Sequence, residues 1–109
     1  MPDASPPQPA IEVNDDREAA RYVIAVGGEP AGFVQYRDRG PALALLHTEI
    51  DDRFEGQGLG GRLVSAALDD VRSRGLAVLP FCPFVRGYIA RHREYLDLVP
   101  EAKRTQFGL

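Results

Sequence analysis

The chain of 109 residues has a single cysteine, Cys82, so no disulfide can close within it, and no cluster has the spacing of a zinc site. The expectation is a protein without a metal, kept reduced in the cytoplasm. Lysine is almost missing: of thirteen basic side chains only Lys103 is not arginine. Sixteen acids outnumber them, and a net charge of -3 gives no electrostatic support for wholesale nucleic-acid binding. No apolar run approaches the ~20 residues that cross a bilayer. The opening Met-Pro-Asp-Ala-Ser-Pro-Pro lacks a basic stretch followed by an apolar one, so no secretion signal is read there. Neither nucleic acid nor membrane is expected as a partner. Nothing demands an assembly beyond a monomer or a weak homodimer paired through an edge strand.

What remains is the composition of an ordinary globule, 44% hydrophobic and 27% charged, long enough for one domain. Residues 1–9 hold four prolines and no apolar period, which predicts a flexible tail. Residues 10–100 read as a single domain and 101–109 as a C-terminal extension. Ile11 to Val13 can begin an edge strand. The runs Arg21–Val26 and Ala31–Tyr36 flank Gly27-Gly28, a hairpin signal. After the turn Asp38-Arg39-Gly40-Pro41, the run Ala42–Ile50 fits a buried central strand better than a helix, given its place between a turn and a glycine loop. The first half is therefore an antiparallel meander.

The second half changes period. Leu63, Val64, Ala67, Leu68 and Val71 recur at three- and four-residue steps behind Gly56, Gly58, Gly60 and Gly61, the mark of an amphipathic helix. Gly75 stops it. Leu76–Leu79 is a short strand ended by Pro80, and Pro83 can open a second helix whose face carries Phe84, Val85, Tyr88, Ile89 and His92. A loop-helix-strand crossover implies parallel flanking strands. The fold class is α+β, a three-layer arrangement around a mixed twisted sheet: meander, glycine loop, helix, strand, helix.

The glycine loop, Gln57-Gly58-Leu59-Gly60-Gly61, leaves a strand and opens a helix. Amides at a helix start have no intrahelical partner, and glycine lets an anion approach them, so a pyrophosphate is a natural occupant. There is no G-K-S/T of a P-loop. The G-x-G-x-G spacing after a meander does not fit a dinucleotide fingerprint. A glycine-rich turn that binds nothing is the alternative.

On these residues, Thr48 to Leu68 (T-E-I-D-D-R-F-E-G-Q-G-L-G-G-R-L-V-S-A-A-L) resembles the acetyl-CoA-binding signature of the GNAT N-acetyltransferase superfamily. Where that signature has Gln or Arg, alignment on Gly58 and Gly60 places Glu55, an acid beside an anion site. An earlier frame, Arg53-x-x-Gly56-x-Gly58, also fits, but the later one sets the helix face correctly. The further stretches H-T-E-I and L-P-F-C-P-F-V-R-G-Y-I-x-R-H-x-E-Y are similar to those of small stand-alone N-acetyltransferase-domain proteins. Those lack the segments with which larger relatives build an acceptor pocket. The resemblance implies that backbone around Thr48, Glu49 and Ile50 binds the pantetheine arm of coenzyme A. It assigns the pyrophosphate to Gln57, Gly58, Leu59, Gly60 and Gly61, with Arg62 reaching phosphate oxygens. Arg86, Arg91 and Arg93 are candidates for the 3′-phosphate.

Acetyl transfer needs a base for the amine and stabilisation of the leaving thiolate. His47 and Glu49 alternate on one strand and so share a face, and either can be the base. An ordinary polar pair at a sheet margin is the other reading. Cys82, at a helix start, is a candidate nucleophile or acyl acceptor if exposed, and a small buried residue otherwise. Tyr88 can donate to the departing sulfur, whereas Tyr95 and His92 read as structural. The expected function is acetylation of an amine of a small molecule or peptide from acetyl-CoA, by direct transfer and without a metal. The alternatives are a non-catalytic coenzyme A-binding module, with an acyl group on Cys82, and a scaffold whose loop contacts nothing.

Overall fold

A computed structural model describes residues 9–109; most of the tail expected at 1–9 lies outside the described residues. Among the described residues five strands form one sheet in sequence order: β1 (Ile11–Asp16), β2 (Arg21–Val26), β3 (Glu29–Asp38), β4 (Ala42–Ile50) and β5 (Ala77–Pro80). The first three pairings are antiparallel and β4 with β5 is parallel, the pairing that a crossover through a helix produces. Gly27 and Gly28 make the tight turn between β2 and β3. β1 runs three residues past Val13: Asn14 and Asp16 face solvent on this edge, while Asp15 turns inward to Tyr36 and Arg74.

Helix α1 (Leu59–Ser73) crosses the sheet in contact with all five strands. Its buried stripe is the expected one, with Leu59 added at the first turn. Leu63, Val64, Ala67, Leu68 and Val71 are fully buried against Tyr22, Ile24, Val34, Leu43, Leu45 and Val78. Complete burial of each of these leucine and valine side chains contributes about 1.5–3 kcal/mol. Gly75 closes the helix: its amide donates to Arg72 and that of Leu76 to Val71, a Schellman pair.

Polar ties fix α1 on the meander. Tyr22 donates its hydroxyl to Asp70 at 2.6 Å, and Tyr36 donates to Asp15 at the same distance. Arg74 reaches both carboxylates at 3.4 Å. Burial first, and then the bond to Asp15, pushes the Tyr36 phenol up to about 12; Tyr22 is displaced in the same direction by burial and Asp70.

Helix α2 (Pro83–Arg91), with Pro83 in its first turn, packs on β4, β5 and α1 through Val85 and Ile89. Phe84 departs from the core stripe expected of it: it is 43% exposed and lies across Gly60 of α1. A run of 3-10 turns follows (Arg93–Leu98). Tyr95 is buried there and donates to Asp69 at 2.8 Å, with Ser65 3.1 Å away, while Arg72 forks onto Asp97 at 2.8 and 2.9 Å. Residues 101–109 fold back: Phe107 is buried edge-on against Phe81 at 5.1 Å between ring centroids.

Candidate functional site

The site follows from where β4 loses a neighbour. β5 pairs with β4 only from Ala42 to Leu45, and the last bond across the gap runs from the Cys82 amide to the Leu45 carbonyl, at 2.9 Å. Beyond it, residues 46–50 of β4 have β3 on one side and, among the described residues, no strand on the other. A bulge at Leu46 marks the divergence and leaves that side chain 37% exposed. The open edge leads directly to the glycine loop.

In the loop, Asp51 caps a short 3-10 turn (Asp52–Phe54) by accepting from the Arg53 amide at 2.9 Å. Gly58 then takes φ 72° as the N-cap of α1, a left-handed conformation that a side chain would strain, and no side chain caps the helix. Among the described residues, the amides of Gln57, Gly58, Leu59, Gly60 and Gly61 donate to no protein acceptor. They form a run of N–H groups at the positive end of the helix dipole. Gly60 permits a close approach: a Cβ there would sit 2.7 Å from Phe84 Cζ, at the end of a partly exposed ring.

Between α1 and α2 a groove of about 440 Å³ continues from these amides, lined by Gly58, Gly61, Arg62, Ser65, Asp69 and Tyr88. Arg62 is exposed and forms no ion pair among the described residues. Tyr88 stacks on His92 with centroids 4.1 Å apart, so one side of its ring is fixed. Arg86 is half-buried and Arg91 and Arg93 are exposed; none of the three lines the groove. Arg53, the residue of the earlier loop frame, is committed elsewhere. It binds Glu29 at 2.6 Å and Asp51 at 3.1 Å, and the guanidinium holds the Asp51 carboxyl below its ordinary range. Glu55 is exposed to solvent, where water screens its charge from the loop.

Strand alternation splits β4 into two sets. Register aligns Tyr22, Val34 and Thr48 on the inner face, and Val23, Phe33 and Glu49 on the outer. Thr48 Oγ1 lies 3.3 Å from Cys82 Sγ. His47 and Glu49 share the outer face, with Nε2 3.3 Å from Oε1 and both side chains more than half exposed. The pair and Cys82 thus lie on opposite faces of one strand. Cys82 is 3% exposed, which removes the exposure a nucleophilic or acyl-accepting role needs.

Sequence reasoning passed over Arg21 and Phe33, whose strands alternate them onto the outer face beside His47 and Glu49. The same alternation that placed the pair would have found them. The place of Phe84 over Gly60 had no such signal.

Known proteins align with this arrangement. Residues 21–98 match the family described as GCN5-related N-acetyltransferase. Protein NATD1 of Xenopus tropicalis is 28% identical over 99 residues, spanning 87% of this chain and 91% of its own. Protein NATD1 of Homo sapiens is also 28% identical, over 91 residues and 80% of each chain. A GCN5-like protein of Staphylococcus aureus, solved by NMR, superposes with a TM-score of 0.62 at 21% identity, covering 82% of this chain and 87% of that one, a likeness of fold alone. Ard1 of Thermoplasma volcanium reaches 0.50 at 26% identity over 59% of this chain and 44% of its own length. The matched segment takes in β2 to β5, the glycine loop and both helices: the chain belongs to the GCN5-related N-acetyltransferase family.

Proposed function

We propose that this chain is an acetyl-CoA-dependent N-acetyltransferase that works by direct transfer to an amine. The observation that carries the reading is the run of uncommitted amides from Gln57 to Gly61, opening on one side to the groove at Tyr88 and on the other to the bare edge of β4. Amides at a helix N-terminus suit a pyrophosphate, and an unpaired strand edge suits the amide groups of a pantetheine arm. The residues fit coenzyme A in this way: Gln57, Gly58, Leu59, Gly60 and Gly61 hold the diphosphate, Arg62 adds a guanidinium, and backbone at Thr48 and Ile50 holds the arm.

When bound, acetyl-CoA supplies an acetyl group on a thioester. The chain's own residues do the rest. Glu49, oriented by His47, accepts a proton from the acceptor ammonium on the outer face and so frees the nitrogen lone pair. Thr48 and Cys82 occupy the inner side of the same strand and shape the wall without reacting. The Tyr88 hydroxyl is the candidate donor to the departing sulfur. The burial of Cys82 argues against the alternative in which an acyl group is carried there.

The reading is tested with purified protein, acetyl-CoA and a panel of primary amines, following release of free coenzyme A thiol. Amine-dependent thiol release is expected, with stabilisation of about 2.7 kcal/mol at coenzyme A one hundredfold above its dissociation constant. Stabilisation without turnover would mark a binding module. Neither effect would mark a scaffold.

A further inference from the structure

The outer face of the sheet carries an open concavity of about 530 Å³ whose walls include Arg21, Val23, Pro30, Phe33, Glu49 and Asp52. Its charges are unevenly committed. The Arg21 guanidinium carbon stands 4.9 Å from the centre of the Phe33 ring. It meets no carboxylate among the described residues, and its Nε is buried with no hydrogen-bond partner. Arg62 also holds no acid, but among the described residues Arg21 is set apart by its buried, unpartnered Nε and by its place over the Phe33 ring. A charged donor without an acceptor is costly, and a planar guanidinium is matched by a carboxylate.

The far wall is negative. Glu49 is the cross-strand partner of Phe33, and Asp52 lies close by, while the charge of Asp51 is already answered by Arg53. Val23 and the Phe33 ring, from adjacent strands, supply an apolar floor between the two signs.

We infer that this concavity binds an amine that also carries a carboxylate and an apolar side chain, that is, an apolar α-amino acid. Its carboxylate accepts from the Arg21 Nη groups, since the buried Nε is closed to a ligand, its ammonium faces Glu49, and its side chain lies on Val23 and Phe33. Arg21 is the specificity-determining residue. The fate of the ammonium rests on the transferase reading, but the binding does not. Amines that lack the acid are held through one wall only.

The test is an amide-resolved NMR titration without coenzyme A, using leucine, leucinamide and N-acetylleucine as probes. Leucine should perturb the amides of Phe33 and Glu49 saturably and bind at least about tenfold more tightly than either analogue, because each analogue leaves one charged wall unmatched. In Arg21→Met the leucine-to-leucinamide ratio should fall to about one. If that variant does not fold, Arg21→Lys, which keeps charge without the fork, should lower the ratio. No saturable leucine binding, equal affinities for leucine and leucinamide in the wild type, or a ratio unchanged in a folded Arg21 variant would each overturn the proposal. Leucine preference in a protein that neither binds nor uses coenzyme A would refute the transferase reading and leave this site standing. Acetylation of leucine and leucinamide alike would do the reverse.

Discussion

The two faces of the sheet are built from the same strands and do opposite work. On the inner face Tyr22, Ile24 and Val34 are buried under α1, and the Tyr22 hydroxyl there has its partner in Asp70. On the outer face Arg21, Phe33, His47 and Glu49 sit one residue out of phase, partly exposed, with a charge left unmatched. Close packing suits a scaffold, and an unmatched charge beside a concavity suits a ligand. Stability and chemistry should therefore separate cleanly between alternate residues.

Glu49→Gln should break the comparison hardest. Loss of a positioned general base lowers kcat by about 10²–10⁴-fold, while an exposed outer-face substitution changes unfolding free energy by no more than about 0.5 kcal/mol. Steady-state thiol release and urea unfolding on the same sample decide it; equal loss of both would erase the distinction. Leu63→Ala is its mirror image on the inner side, expected to cost about 2–5 kcal/mol in urea unfolding because the residue is fully buried.

Gly60→Ala should sharpen the picture at the loop. The added methyl meets the Phe84 ring at 2.7 Å, so the ring must shift against the first turn of α1, beside the loop amides. Coenzyme A affinity is expected to fall about tenfold, measured by calorimetry, with unfolding changed by about 1 kcal/mol or less. The smallest effect is on alkaline stability. Tyr36 has its phenol raised to about 12 from 10 in the unfolded chain, and Tyr22 is shifted the same way. A raised pKa contributes fully below pH 10 and is lost as pH climbs towards 12. The urea midpoint should be flat to pH 9.5 and decline above pH 10, and Tyr36→Phe should make that decline shallower.

The inner face was legible in the sequence because burial imposes a period. Leu63, Val64, Ala67, Leu68 and Val71 declare α1, and Gly27-Gly28 and Gly75 declare where elements turn or stop. The amide run was legible too, through glycines ahead of an apolar stripe. What escaped lacks a period. Phe107 is buried from a segment with no repeat, so residues 101–109 read as an extension although they pack back on Phe81. Phe84 lies on the apolar stripe of α2 yet leans over Gly60, a contact set by the distance between two helices. Arg21 escaped because its strand was read for its β-branched residues, and an unmatched charge shows only when neighbouring strands are in place.

Amide-resolved NMR with coenzyme A is the most direct test of the site. If the loop holds the diphosphate, the signals of Gln57, Gly58, Leu59, Gly60 and Gly61 move furthest and saturate together, ahead of any on the outer face. Coenzyme A that binds while leaving those five signals in place, or that does not bind at all, contradicts it.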